Sequence, residues 1–125
     1  MTSPSIRLRS VVLDCPDPPA LAFFYANLLN GESEISDPEW CEVHVGDPAF
    51  KLAFQRAVPY SPPEWPDGRP QQLHLDLTVS DLNAAGLRAV ELGAVVLSGP
   101  VEEPGCMWVV HADPAGHPFC LCEER

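Results

Sequence analysis

The chain repeats itself, and this repeat limits the folds it can adopt more than any other feature. The segments Asp17–Gly31 (DPPALAFFYANLLNG) and Asp81–Gly93 (DLNAAGLRAVELG) each begin with aspartate, continue with an apolar pattern of helical period and end with glycine. Their starts are 64 residues apart. Aspartate is a preferred N-cap and glycine a preferred C-terminal stop, so each segment is predicted to be one helix. The helices are expected over residues 18–29 and 81–92.

Segments with strand-like alternation flank each helix. The predicted strands lie at residues 6–14, 40–46 and 50–56 in the first half, and at 72–79, 107–112 and 118–123 in the second. A further short strand is expected in each half, near 34–36 and near 94–97. An Asp-Pro turn precedes each last strand, and the two turns, Asp47-Pro48 and Asp113-Pro114, are 66 residues apart. The predicted fold is therefore α+β, with two βαβββ modules.

A proline-rich connector separates the two halves. The chain has 15 prolines among 125 residues, and five of them lie in residues 57–70 (AVPYSPPEWPDGRP). Such a stretch is typical of an ordered but irregular loop. Because 125 residues suit one domain, we predict a single domain made of two repeated modules, 1–56 and 71–125. Tyr60 and Trp65 of the connector could cover a ligand-binding cup.

Strand alternation divides the side chains between two faces of each sheet. In the strand of residues 73–79, the leucines and Val79 are predicted to face the helix, while His74 and Asp76 face away. The same alternation places Ser10, Lys51 and Cys120 on this second face of their strands. A sheet face with histidine, aspartate, lysine and cysteine is either exposed to solvent or lines a ligand-binding cup.

The repeated segments resemble the vicinal-oxygen-chelate superfamily, which includes glyoxalase I, bleomycin-resistance proteins, extradiol dioxygenases and fosfomycin-resistance proteins. The resemblance rests on DPPALAFFYANLLNG, HLDLTVSDLNAAGLRAVELGA and DPAGHPFCL, and it covers nearly the whole chain. Within the superfamily, FQR followed by PPEW and HLDL is similar to a glyoxalase-like subgroup of unsettled function. The resemblance implies a cup-shaped sheet with the helices on its outer face.

The resemblance also implies four metal-ligand positions, two from each module. They correspond here to Ser10, Lys51, His74 and Cys120. Serine is a weak donor, and a lysine ammonium would stand where the cation should be, so only His74 matches the implied ligand set. We therefore predict no metal and no other cofactor. The alternative is a divalent metal, such as zinc held by His74 and Cys120 with Asp76 as a third ligand.

The candidate ligand-binding residues are the six that the alternation and the resemblance assign to the cup: Ser10, Lys51, His74, Asp76, Trp108 and Cys120. His74 is the candidate catalytic residue, because an imidazole titrates near neutral pH and can transfer a proton. Cys120 could be a nucleophile if His74 lowered the pKa of its thiol, or it could simply pack as a small side chain. Trp108 either forms a wall for the ligand or packs structurally, like Trp40 at the equivalent repeat position.

The charge balance restricts the partners of the chain. Asp and Glu number 18 against 7 Lys and Arg, for a formal net charge of −11. So acidic a chain is not expected to bind nucleic acid or anionic membranes, whereas a cationic or aromatic small molecule suits it. No apolar run reaches the roughly 20 residues of a membrane span, and the N-terminus lacks a signal-peptide core, so we expect a cytoplasmic protein. Its five cysteines are accordingly expected to be free thiols.

These observations favour a metal-independent small-molecule-binding protein of glyoxalase/bleomycin-resistance type, with the ligand held in a polar cup. One alternative is a lyase, isomerase or dioxygenase-type enzyme in which His74 transfers protons or binds a metal. Another is an interaction module without a small-molecule ligand. Symmetric pairs are common in the superfamily that the chain resembles, so a homodimer is expected.

Overall fold

The computed structural model describes residues 5–124, and its elements follow the predicted repeat. The first half contains β1 (Val11–Cys15), α1 (Pro18–Leu29), β2 (Glu32–Asp37), β3 (Trp40–Val45) and β4 (Phe50–Arg56). The second half contains β5 (Leu75–Val79), α2 (Leu82–Leu92), β6 (Val95–Glu103), β7 (Cys106–Ala112) and β8 (Pro118–Glu124). The fold is thus α+β with two βαβββ modules. Residues 1–4 and 125, which the predicted module boundaries include, lie outside the described residues.

Each module forms one four-stranded sheet, and the two sheets have the same topology. The strand order is β1-β4-β3-β2 in the first sheet and β5-β8-β7-β6 in the second. The first and last strands of each module pair in parallel, and the remaining neighbours are antiparallel. A parallel pair needs a crossover connection between its strands, and the helix forms part of that connection in each module.

Three strands differ from the prediction by three or more residues at one end, because pairing, and not alternation alone, decides where a strand begins and ends. The predicted strand 6–14 begins only at Val11, whose partner in β4 is Leu52. The predicted strand 72–79 begins at Leu75 for the same reason, since its first partner in β8 is Phe119. The short strand expected near 94–97 is longer, because β6 follows β7 as far as Glu103 through two register shifts.

The predicted aspartate caps hold the starts of both helices. The Asp17 carboxylate accepts a hydrogen bond from the Ala20 backbone N–H at 3.2 Å, and Asp81 accepts one from Ala84 at 3.0 Å. Each bond satisfies a donor that would otherwise have no partner within the helix. The helices are 12 and 11 residues long. Within the described part of the chain, neither is long and apolar enough to cross a membrane.

The two helices end differently, although both segments carry a glycine there. Helix α2 ends at Gly93, whose φ of 120° is in the left-handed region, as predicted. Helix α1 ends at Asn30, whose φ of 53° is in the left-handed region, one residue before Gly31, which the sequence predicted as the stop. Glycine is required at position 31 for a different reason. A Cβ atom on Gly31 would lie 2.8 Å from the carbonyl oxygen of His44, which is too close. It allows the end of α1 to approach β3 closely.

The helix sides of the two sheets share one apolar core. The ring of Tyr25 in α1 stacks on Phe54 of the first sheet, with centroids 5.6 Å apart. Tyr25 and Phe24 also contact Phe119 of the second sheet, at 6.4 and 6.0 Å. All four rings are buried. Because the helix-facing side chains of both sheets enter this core, the opposite faces of the two sheets point away from it.

Asp113, in the turn before β8, joins the modules through hydrogen bonds. It is 3% exposed and accepts from the Tyr25 hydroxyl at 2.6 Å. It also accepts from the backbone N–H groups of Ala115 and His117, at 2.8 and 3.0 Å, and lies 2.8 Å from the His117 ring Nδ1. The other ring nitrogen of His117 lies 2.8 Å from the carbonyl oxygen of Asp14 in β1. One buried carboxylate thus links α1, the β7–β8 turn and, through His117, the first sheet.

We expect Asp113→Asn to destabilise the protein more than Tyr25→Phe. The tyrosine variant loses one hydrogen bond to a charged carboxylate, which should cost about 2 kcal/mol. The asparagine variant removes the buried charge and turns an amide N–H₂ toward groups that donate, which should cost about 3 kcal/mol. Asp47→Asn is the matched control, because Asp47 is exposed in the equivalent turn of the first module. Urea unfolding measures all three, and an Asp113→Asn effect no larger than that of Asp47→Asn would contradict the assignment.

Candidate functional site

The face of the second sheet that points away from the helices lines a cavity of about 470 Å³, called here the sheet-face cavity. Strands β5, β7 and β8, the segment before β5 and the proline-rich connector form its walls. Four of the six predicted ligand-binding residues line it: His74, Asp76, Trp108 and Cys120. Strand register explains the grouping, because Asp76 pairs with Cys120 and paired residues point to the same face.

Three potential ligand groups meet in the sheet-face cavity. The imidazole Nε2 of His74 lies 3.2 Å from Asp76 Oδ1. Donor atoms of His74, Asp76 and Cys120 all lie within 4.8 Å of one another. The His74 and Asp76 side chains are 41% and 65% exposed, so this contact adds little to folding stability. The same exposure leaves both groups accessible to a ligand.

The environment of Cys120 argues against a nucleophilic role. Burial, together with the negative charge of Asp76, raises the pKa of its thiol from 9.0 to about 11. The pKa of the neighbouring Cys122 thiol is also raised, mainly by burial. These causes all raise the Cys120 pKa, so the hypothesis that His74 lowers it is not supported. Since the thiolate is the reactive form, Cys120 is a packed thiol at neutral pH.

The proline-rich connector contributes an aromatic side chain to the site. Trp65 lines the sheet-face cavity together with Trp108, so the expectation that connector aromatics cover the cup holds for Trp65. Tyr60 does not line this cavity and instead donates a hydrogen bond to the Ala115 carbonyl at 2.8 Å. Sequence reasoning missed Gln71, whose buried side-chain oxygen has no hydrogen-bond partner among the described residues.

The other two predicted ligand-binding residues belong to the first module and do not line the sheet-face cavity. Lys51 lies 3.5 Å from Glu42, and Ser10 is half-buried just before β1. The sequence predicted that the repeat brings Ser10 and Lys51 toward His74 and Cys120. In the structure, His74 and Cys120 line the sheet-face cavity, whereas Ser10 and Lys51 do not. The physical reason is the shared core, which places the helix sides of both sheets together and turns their other faces outward.

Glu42 organises the polar face of the first sheet. Its carboxylate accepts a hydrogen bond from the Trp40 indole at 2.9 Å and lies 3.4 Å from His44 as well as near Lys51. The Trp40 hydrogen bond is the main cause of a lowered Glu42 pKa, and the Lys51 charge adds to it. Lys51 thus has a carboxylate counter-charge on its own sheet.

His44 and His111 have similar places in the repeat but lie on opposite faces of their sheets. His44 pairs with Lys51 in the register and shares its polar face, whereas His111 is 1% exposed on the helix side of the second sheet. The signal was present in the sequence. His44 follows Trp40 by four residues and His111 follows Trp108 by three, and one residue of difference reverses the face in a strand.

Two βαβββ modules packed in this way define the fold of the vicinal-oxygen-chelate superfamily. A family model described as a glyoxalase-like domain matches residues 10–122, and the chain belongs to this family. Comparison with curated proteins gives no match.

Solved structures show the same fold at low sequence identity. A glyoxalase/bleomycin resistance protein/dioxygenase family enzyme from Burkholderia phytofirmans PsJN is 15% identical, with a TM-score of 0.73, over 94% of this chain and 98% of that one. A glyoxalase-related enzyme from Fulvimarina pelagi is 20% identical, with a TM-score of 0.71, over 94% and 88%. The fosfomycin resistance protein FosX from Mesorhizobium loti is 13% identical, with a TM-score of 0.70, over 95% and 92%. At these identities the likeness shows the fold alone.

We expect Cys120 to resist alkylation by iodoacetamide at pH 8. A pKa of about 11 in place of 9.0 leaves roughly 100-fold less thiolate in the folded protein. The rate should rise as the pH approaches 11, and Asp76→Asn should increase it at pH 8 by removing a nearby negative charge. Timed labelling followed by peptide mass spectrometry measures the rate, with the urea-unfolded chain as the control. A folded protein that reacts as fast as the unfolded chain would refute the raised pKa.

Proposed function

We propose that the chain is a small-molecule-binding protein that holds its ligand in the sheet-face cavity without a metal ion. The observation that carries the proposal is the pairing of two tryptophans, Trp65 and Trp108, with the exposed carboxylate of Asp76 around one cavity. A volume of about 470 Å³, with aromatic walls and a few polar groups, is typical of small-molecule sites.

The chemistry of the walls favours a cationic or aromatic ligand. Indole faces attract cations as well as stacking on flat rings, and Asp76 supplies a full negative charge beside them. The buried side-chain oxygen of Gln71 needs a hydrogen-bond donor, which an ammonium or amide group of a ligand would supply. The formal charge of −11 would also raise the local concentration of cations near the protein.

The metal positions that the superfamily implies do not fit a divalent ion here. Lys51 occupies one of them with an ammonium group and is paired with Glu42 on the first sheet. Ser10 occupies another with a weak hydroxyl donor. Only His74 and Cys120 remain, and the Cys120 thiol would have to lose a proton whose pKa is about 11. We therefore propose that the small-molecule ligand itself, and not a metal ion, occupies the cavity.

A second candidate function rests on the three donors of the sheet-face cavity. The nitrogen, oxygen and sulfur atoms of His74, Asp76 and Cys120 lie within 4.8 Å of one another, a spacing compatible with a three-ligand zinc site. His74, next to Asp76, is also placed to transfer a proton to or from a bound molecule. This candidate makes the chain an enzyme of lyase, isomerase or dioxygenase type.

We also propose that the protein forms a homodimer and that it is located in the cytoplasm. The polar face of the first sheet, with Glu42 and Lys51, points away from the core that the two modules share. In a symmetric pair, this face of one copy could close the sheet-face cavity of the other, which would restore the predicted cup across the interface. All five cysteines are free thiols, which suits a reducing compartment.

Binding of benzyltrimethylammonium, an aromatic cation, tests the proposed ligand class. We expect saturable quenching of tryptophan fluorescence, with an affinity about ten-fold weaker in Asp76→Asn because a charge partner of the cation is lost. Asp47→Asn is the matched control, because it removes a carboxylate that is exposed in the turn before β4 and does not line the cavity. The anionic analogue benzenesulfonate should not compete.

Chelation separates the two candidate functions. Treatment with EDTA should leave the binding of benzyltrimethylammonium unchanged if no metal takes part. Binding that requires added zinc, and that disappears in His74→Ala, would replace the metal-independent proposal with the metal-site candidate. An unaltered affinity in Asp76→Asn would reject the assigned ligand class.

Light scattering tests the assembly. We expect a particle of about 27 kDa, twice the chain mass of 13.6 kDa, at micromolar concentration. Lys51→Glu should alter the binding of benzyltrimethylammonium only if the first-sheet face of one copy reaches the sheet-face cavity of another. A monomer at this concentration, with ligand binding intact, would remove the dimer from the proposal.

A further inference from the structure

Helix α2 covers a second cavity, on the opposite face of the second sheet from the sheet-face cavity. Its volume is about 580 Å³, and it lies between α2 and strands β6 to β8. Alternate residues of β7 line it: Met107, Val109 and His111. Within residues 5–124 the two cavities share no lining residue, because successive side chains of a strand point to opposite faces. This second space is called here the helix-side cavity, and it is independent of the proposed function.

The walls of the helix-side cavity are mainly apolar. Leucine and valine side chains of α2 and β6 contribute to it, among them Leu82, Val90 and Val96. The acidic residues Asp81 and Glu123 stand near the N-terminal end of α2, where Glu123 accepts a hydrogen bond from the Leu82 backbone N–H at 2.7 Å. Among residues 5–124, two carboxyl groups and no lysine or arginine line the space, so it disfavours an anion.

His111 is the exception to the apolar character of the helix-side cavity. The side chain is 1% exposed, and its ring stacks on Phe119 with centroids 5.3 Å apart. Neither ring nitrogen has a hydrogen-bond partner among the described residues. Burial lowers the pKa of the imidazole, and the nearby Val109 backbone opposes this effect without a hydrogen bond of good geometry. The ring is therefore neutral at neutral pH and offers one donor and one acceptor, both unused.

Gly86, in the middle of α2, leaves space beside His111. Its φ is outside the left-handed region, and the nearest atom to a Cβ built there would be His111 Nε2, at an ordinary contact distance of 3.9 Å. Neither backbone conformation nor close packing thus requires glycine, which costs helix stability relative to alanine. Its lack of a side chain leaves room beside the unpaired imidazole nitrogen, which is itself buried next to the helix.

We propose that the helix-side cavity binds a neutral, mainly apolar small molecule whose hydroxyl or carbonyl group forms a hydrogen bond with His111. The apolar walls bind the body of such a molecule, and the carboxyl groups at one end select against acids. The hydrogen bond satisfies a buried ring that has no partner within the described chain. The buried histidine, the glycine beside it and the apolar walls together define a ligand of this class.

The probe is 4-tert-butylphenol, compared with 4-tert-butyltoluene, which replaces the hydroxyl by a methyl group. Binding is followed through the ¹³C-labelled methyl group of Met107, which lines the cavity, and through the ring signals of His111. Both sets of signals should shift saturably with the phenol in the wild-type protein. In His111→Phe, which keeps the stacking on Phe119, the ratio of the two affinities should move about ten-fold toward the hydrocarbon.

A steric variant tests the same site without altering the histidine. Gly86→Leu should fill the space beside His111 and abolish the Met107 shift, whereas Ala84→Leu, on an exposed position of the same helix, should not. The anion 4-tert-butylbenzoate should bind at least ten-fold more weakly than the phenol. Tryptophan quenching by benzyltrimethylammonium should be unchanged in Gly86→Leu, which separates this site from the sheet-face cavity.

Three results would overturn the proposal. The first is the absence of a saturable Met107 shift in the wild-type protein. The second is an unchanged affinity ratio in His111→Phe together with unchanged binding in Gly86→Leu. The third is a change in the His111 ring signals on dilution without any probe, which would mean that a second copy of the chain fills the cavity.

Discussion

The buried carboxylate of Asp113 is the interaction on which the arrangement of the two modules depends. It accepts hydrogen bonds from the Tyr25 hydroxyl and from two backbone N–H groups of its own turn, and it also faces the ring of His117. A buried charge is tolerated only where such donors surround it, so the turn of the second module must stay beside the helix of the first. The rings of Tyr25, Phe54 and Phe119 then pack around this link.

The packing of the two modules determines which side chains each sheet exposes to ligands. Because the helix sides of both sheets meet in one core, the face with Glu42 and Lys51 and the face with His74 and Asp76 point away from it. The first face is balanced by its own ion pairs, while the second lines a cavity with two tryptophans. A single chain thus presents the two halves of the predicted cup separately, which gives the proposed homodimer its physical rationale.

One strand separates two cavities of different character. Along β7, Trp108 points toward the sheet-face cavity, and Met107 and His111 point under α2. The first cavity has exposed charged groups beside its aromatic walls, and the second has apolar walls around one unpaired imidazole. The proposed ligands differ accordingly, a cationic or aromatic molecule in one and a neutral apolar molecule in the other.

The sequence by itself determined the two βαβββ modules, the aspartate caps and the shared face of His74, Asp76 and Cys120. These follow from local periodicity and register, which depend on neighbouring residues in the chain. The tertiary structure alone decided that Ser10 and Lys51 are apart from the sheet-face cavity, that burial raises the Cys120 pKa, and that Gln71 joins the site. Each of these depends on how the modules and the connector pack, and contacts between residues distant in sequence leave no periodic signal. His111 combines both kinds of information. Its spacing from Trp108 in the sequence predicts its face of the sheet, but only the packing under α2 leaves its ring nitrogens without a hydrogen-bond partner among the described residues.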